Sequence, residues 1–186
     1  MFAGRFASCF VLLLSIAFFT KGDATLAAPS KGAVLGTILT KINTVADDYV
    51  VFHESITVFD GSPETLATIQ KQERTIEKHL QDTIMTAEVS PHLNKTGSKQ
   101  IMRALEKPYP TFMSDLLDNI TYKEPIFKKT GSKRMVLDWL KCLYSLSNEL
   151  PMALEKITVK SDADQIESGR KWSNALFTKS LAVYEG

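Results

Sequence analysis

The sequence predicts an all-α protein, a bundle of about five long amphipathic helices, mostly antiparallel and kinked at prolines. Three observations predict it. Apolar residues recur in steps of three and four from residue 35 almost to the end of the chain. Glycine, proline and serine punctuate that pattern at short connections, where helices stop and start. No pair of alternating segments flanks a hairpin turn, and no period at repeat length recurs.

The organising stretch covers residues 35–59. Leu35, Ile38, Ile42, Val45, Tyr49, Phe52, Ile56 and Phe59 share one stripe of a helix. Thr40, Lys41, Asn43, Thr44, Asp47, Asp48, Glu54 and Ser55 suit its wet face. Tyr49-Val50-Val51-Phe52 reads as strand on propensity alone, but the helical period runs through it on both sides. Such a helix is about 37 Å long at roughly 1.5 Å per residue. Its stripe must be covered by the rest of the chain.

Ahead of it, Arg5 and the apolar run from Phe10 to Phe19, followed by small and polar residues, form the pattern of a secretory signal peptide. The expected division is a signal over 1–24, with cleavage as late as 27 as the second choice, a leader over 25–33 and the bundle over 34–186. The run is shorter than the ~20 residues of a membrane span. No second such run follows, and Ala182-Val183-Tyr184-Glu185-Gly186 lacks the tail of a lipid-anchor signal. A secreted product without a transmembrane span is expected. The formal net charge of +1 and a charged fraction of 23% give no basic footprint for nucleic acid. Cys9 leaves with the signal, so Cys142 is expected as a part-buried thiol in a protein that relies on its core.

Gly61 closes the first helix as a C′ glycine, and Ser62-Pro63-Glu64 opens the second with N-cap, first-turn proline and dipole-matched acid. Leu66, Ile69, Ile76, Leu80, Ile84 and Ala87 form the second stripe. Glu73 falls on that seam, either reaching the rim or facing a cavity. A loop from Ser90 to Gly97 leads to a third helix starting near Ser98 with Ile101, Met102 and Leu105. Pro108-Tyr109-Pro110 should break or kink it before Phe112, Met113, Leu116, Leu117 and Ile120 resume the pattern. Pro125 is expected to end it and Lys129-Thr130-Gly131 to turn the chain. Ser132 caps a fourth helix carrying Val136, Trp139, Leu140, Leu143, Leu146 and Leu150, with a kink or a new turn at Pro151. Ser161-Asp162-Ala163-Asp164 caps the fifth, whose apolar set is Ile166, Trp172, Leu176, Phe177, Leu181 and Tyr184.

No catalytic pattern emerges. His53, His79 and His92 form neither a His-Glu-x-x-His nor a Glu-x-x-His pair, so no metal or other cofactor is expected. There is no nucleophile elbow and no phosphate loop, and Asp47-Asp48 reads as a solvated acidic face. An enzyme is not expected, since only a spatially assembled hydrolase site would make one. Two N-glycosylation acceptors occur: Asn94-Lys95-Thr96 in a loop, and Asn119-Ile120-Thr121 on a helix, where Asn119 must face outward to be used.

Certain stretches resemble a known family. They are Ile56-Thr57-Val58-Phe59-Asp60-Gly61-Ser62, the set Ile69, Ile76 and Ile84-Met85-Thr86-Ala87, Lys123-Glu124-Pro125-Ile126-Phe127-Lys128-Lys129-Thr130-Gly131, and Ala153-Leu154-Glu155-Lys156. Over residues 34–160 the chain is similar to the fungal hydrophobic surface-binding protein A family, also called cell wall galactomannoproteins. The resemblance implies an extracellular or cell-wall helical protein that adsorbs to hydrophobic surfaces, and some relatives bind long-chain fatty acids inside the bundle. Family members often carry a Ser/Thr-rich tail or lipid-anchor signal, which this sequence lacks, and a continuous helix where it has Pro108-Tyr109-Pro110.

The expected function is therefore a secreted, non-enzymatic binder of hydrophobic surfaces or of a long-chain fatty acid or similar lipid. The alternative is a secreted effector or wall component docking on a glycan or protein partner. If prolines 108, 110 and 151 hold helices apart, the candidate cavity residues are Phe52, Ile56, Phe59, Ile76, Phe112, Met113, Phe127, Trp139 and Leu143, with Met152 nearby. The same side chains would equally serve to fill a solid core.

Overall fold

The computed structural model of the chain describes residues 31–186. The expected signal peptide, both cleavage points, Cys9 and leader residues 25–30 lie outside the described residues. Among the described residues there are seven helices and no strand: α1 (Lys31–Val58), α2 (Pro63–Glu88), α3 (Lys95–Leu105), α4 (Phe112–Tyr122), α5 (Glu124–Lys129), α6 (Lys133–Ile157) and α7 (Lys160–Glu185). The count exceeds about five because the third expected helix divides into α3, α4 and α5. Its first break is the segment with Pro108 and Pro110, where the Lys107-Pro108 peptide is cis. Pro125 does not end a helix. It occupies the first turn of α5, where its missing N–H costs nothing.

The first turn of the chain is built as its residues require. Gly61 takes φ +98°, and a Cβ there would also stand 3.2 Å from Thr130 Cγ2 and 3.3 Å from Ile126 Cγ2. The Ser62 hydroxyl then accepts from the Thr65 amide (3.3 Å), while Asp60 Oδ1 accepts from the Ser62 amide (2.9 Å). Of the 35–59 stripe, every member is buried except Leu35, which is half-buried over Gly97.

Two helix starts differ from those expected. Asn94, not a residue near Ser98, opens α3, its side chain accepting from the Gly97 amide at 2.9 Å. The α7 cap position is Val159, so Asp162 is not a cap. Its carboxylate is buried, accepting from Ser98 Oγ (2.6 Å) and Lys99 Nζ (2.7 Å). Ser98 Oγ in turn accepts from the Val159 amide at 3.1 Å, so a tertiary pair has displaced the local cap. Ser132 precedes α6 without a side-chain cap, its hydroxyl lying 3.0 Å from Thr130 Oγ1. α6 continues through Pro151 and carries Leu154 and Ile157 into the core.

Contacts along the helices fix their directions. His79 Nδ1 lies 2.5 Å from Asp48 Oδ2, and α2 runs back along α1. Arg170 to Glu155 at one end and Lys141 to Glu185 at the other make α6 and α7 antiparallel. α2 and α6 instead run in the same sense: Gln70 meets Met135 near their starts, and the Leu93 amide, just past α2, donates to the Ile157 carbonyl at 2.7 Å. α3 and α4 carry the chain back between them. α3 begins beside the start of α1, at Leu35, and α4 ends beside its end, where Asn119 Nδ2 donates to Thr57 Oγ1 at 2.7 Å. Thus α1, the α3–α4 run and α7 point one way, and α2 and α6 the other. Among the described residues no helix is long and apolar enough to cross a membrane.

Candidate functional site

The α3–α4 run is interrupted where it should cover the middle of α1. Over residues 106–111 the chain leaves the helix, and residues 106–110 are exposed. Beneath this strap lies an apolar cavity of about 350 Å³. That volume is within the roughly 300–1,000 Å³ usual for small-molecule sites. Its α1 wall is Ile42, Val45, Ala46 and Tyr49; Leu80 comes from α2. Met102, Leu105, Phe112 and Met113 flank the strap, α6 gives Ser147, Leu150 and Pro151, and α7 gives Ile166, Gly169, Arg170 and Trp172. The strap itself contributes Lys107, Pro108, Tyr109 and Pro110.

Few polar atoms face this space. Tyr49 Oη lies 3.1 Å from Ser147 Oγ. Burial pushes the Tyr49 phenol up to about 12, opposed by the Ser147 bond and reinforced by Cys142 and Glu73. Arg170 is occupied at the rim, its Nε donating to Glu155 Oε1 (3.0 Å) and a terminal nitrogen to Asn148 Oδ1 (3.1 Å). Behind this wall, on the α2 seam, Glu73 is 2% exposed and its Oε1 has no hydrogen-bond partner among the described residues. Burial, then the bond to and charge of Glu77, push its carboxyl up to about 9, so it is protonated at neutral pH. Glu73 neither reaches the rim nor lines the cavity.

Of the residues singled out from sequence, Phe112 and Met113 line the cavity, together with prolines 108, 110 and 151. Phe52, Ile56, Ile76 and Leu143 are buried elsewhere in the core, with Trp139 packed against it. Phe59 and Phe127 stack with ring centroids 4.5 Å apart, and Tyr184 lies beside Phe127. Met152 is exposed beside Pro151. The walls that sequence reasoning missed are Ile42, Val45 and Tyr49 on the first stripe, and Ile166 and Trp172 on the last. The proline break was the available signal: a stripe loses its cover wherever the opposing helix stops. Asn94 is exposed, whereas Asn119 is half-buried against Thr57. Cys142 is half-buried. A broader depression of about 430 Å³ on the outer face of α2 is lined mainly by polar and basic side chains, including Lys71, Arg74 and Lys78.

Fold and site together define a helical-bundle protein with an apolar space under a gap in one of its helices. The chain belongs to the hydrophobic surface binding protein A (HsbA) family, whose model matches residues 35–156. A comparison with curated proteins returns no match. Among solved structures, AfMP4p in complex with palmitic acid is similar, with a TM-score of 0.77 and 26% identity over 81% of this chain and 99% of that one. Two ligand-binding domains of the Penicillium marneffei MP1 protein share the fold. Domain 1, complexed with arachidonic acids, gives a TM-score of 0.68 at 12% identity over 83% of this chain and 99% of its own. Domain 2, complexed with multiple arachidonic acids, gives 0.70 at 11% over 86% and 99%. These findings point to a binding protein for hydrophobic matter.

Proposed function

We propose that this protein is a secreted, non-enzymatic binder that holds the tail of a long-chain fatty acid in the cavity beneath residues 106–111, at or outside the fungal cell surface. The observation that carries the reading is the apolar cavity itself, placed where α3 and α4 fail to meet. The palmitic acid held by AfMP4p supports it. Pro108 and Pro110, on the cavity wall, keep α3 and α4 from joining over the space, and Pro151 lines it from within α6. Phe112 and Met113 are the proposed contacts from the sequence reading, joined by Ile42, Val45, Leu150 and Ile166. Flexible Met102 and Met113 let the wall adapt to tails of different shape.

The energetics suffice. Burying a sixteen-carbon tail gains about 0.8 kcal/mol per methylene, roughly 12 kcal/mol gross. Several kcal/mol are lost to ordering and association, which leaves the ~8 kcal/mol of a micromolar complex within reach. Secretion fits the signal-like start of the chain. Asn94 is the better glycan acceptor: it is exposed, and its cap uses Oδ1, not the nitrogen that carries the sugar.

Displacement of a fluorescent long-chain fatty acid by palmitate tests the binding. Saturable displacement at micromolar protein is expected, with lipid recovered on extraction of the secreted protein. Failure of any apolar probe to bind would remove the reading.

A further inference from the structure

Two aromatic rings stand at the mouth of the cavity. Tyr109, on the strap, and Trp172, on α7, both line the cavity while remaining 42% and 43% exposed. Trp172 belongs by period to the apolar set of α7, yet beside the gap in the α3–α4 run it is only partly covered by the described residues. Tyr109, flanked in sequence by two prolines, sets its ring edge-on to Phe112 at 5.4 Å, and its hydroxyl bonds to the Asp115 carboxylate. Each ring is thus continuous with the apolar interior on one side and open to solvent on the other. Lys107 stands beside them, exposed and without an ion pair among the described residues.

We propose that this rim is the face with which the protein rests on a lipid bilayer, and that the apolar guest passes directly between bilayer and cavity without crossing water. The inference rests on the fatty-acid reading of the cavity for its cargo, but not for the docking itself. Two arguments favour a lipid surface over a protein partner. Tyr and Trp place an apolar body and a polar tip at one level, the arrangement that suits the boundary between headgroups and acyl chains, and an adjacent free ammonium reaches phosphates. The rim also opens into the cavity, so a partner seated there would have to be one that the guest can enter. A protein surface would close the mouth; a bilayer extends its apolar path.

The test uses vesicles of phosphatidylcholine. Trp139 and Trp172 are the only tryptophans, so Trp139→Phe leaves Trp172 as the sole indole. Its emission should shift to shorter wavelength with vesicles and be quenched by lipid brominated on the acyl chain. Unchanged emission at vesicle excess overturns the proposal, whether or not the protein binds any fatty acid. Transfer of an anthroyloxy fatty acid from loaded protein to vesicles gives the second readout. A direct hand-over makes the rate follow vesicle concentration, about tenfold over a tenfold range, whereas release into water makes it independent of vesicles. The independent rate overturns the proposal. Tyr109→Ser with Trp172→Ser should abolish the concentration dependence, and Tyr122→Ser, an exposed ring at the far end of α4, should leave it intact. A protein that quenches on vesicles yet never takes up the probe would refute the cargo and keep the docking.

Discussion

Tyr49 Oη and Ser147 Oγ, 3.1 Å apart, join α1 to α6 at the wall of the cavity. The pair ties down two helices at the level where α3 and α4 leave them uncovered. Tyr49→Phe removes one partner of a part-buried bond and leaves the Ser147 hydroxyl facing an apolar space. The loss expected is about 0.5–1.5 kcal/mol. Urea unfolding should show it as a lower midpoint with an unchanged slope. Restoring the match with Tyr49→Phe plus Ser147→Ala should recover part of the loss, because both polar groups are then gone.

Glu73 makes stability depend on pH in the direction opposite to most carboxylates. Its folded value of about 9 lies above the ordinary 4.5, so between those values the folded chain binds more protons than the unfolded one. Stability therefore falls as pH rises from about 4.5 to about 9 and is fully present only below that interval. Glu73→Gln keeps the shape and removes the titration. Thermal melts should find the variant close to the parent near pH 4.5 and more stable than it by several degrees near pH 9. Parallel curves for both proteins across this range would show that Glu73 is already ionised in the fold.

Much of this architecture was legible because it is local. The 35–59 stripe and the Gly61-Ser62-Pro63 turn depend on neighbours in sequence, and both are as their residues dictate. The Pro108-Tyr109-Pro110 break was legible for the same reason. What it uncovers was not, since Ile42, Val45 and Ile166 become cavity wall only through the path of a distant segment. Ring size does not mark the cavity either, since Phe59 and Phe127 satisfy each other by stacking. Asp162 reads as a cap until Ser98, 64 residues away, claims its oxygen. The parallel sense of α2 and α6 follows from the route of α3 and α4, which no periodicity encodes.

Asp162 links α3 to α7 through Ser98 and Lys99. The bond from Lys99, then that from Ser98, hold its carboxyl below the ordinary carboxylate value. A depressed folded value gives stability that is present above the unfolded value and lost as pH falls through the folded one. Asp162→Asn should lower the melting temperature at neutral pH, and the gap from the parent should narrow as the solution is acidified below about pH 4. A gap that stays constant into strong acid would mean that shape, not charge, sets the contribution of this residue. Hydrogen exchange should show α3 amides less protected in the variant, since its tie to α7 is weakened.

Ala46 separates cavity from core by experiment. It lies half-buried on the α1 wall, with open space where a larger side chain would project. Ala87 is fully buried on α2 and does not touch that space. Phenylalanine at Ala87 must force its way into packed side chains, at a cost of about 1–3 kcal/mol or more. Phenylalanine at Ala46 instead fills volume that a guest would use, so stability should change by less than about 1 kcal/mol while the ring gains contacts. Competition with a fluorescent fatty acid should then show affinity reduced by tenfold or more for Ala46→Phe, about 1.4 kcal/mol. If Ala46→Phe destabilises as much as Ala87→Phe, the space is closed in solution. If it is stable and binds as the parent does, the tail lies elsewhere.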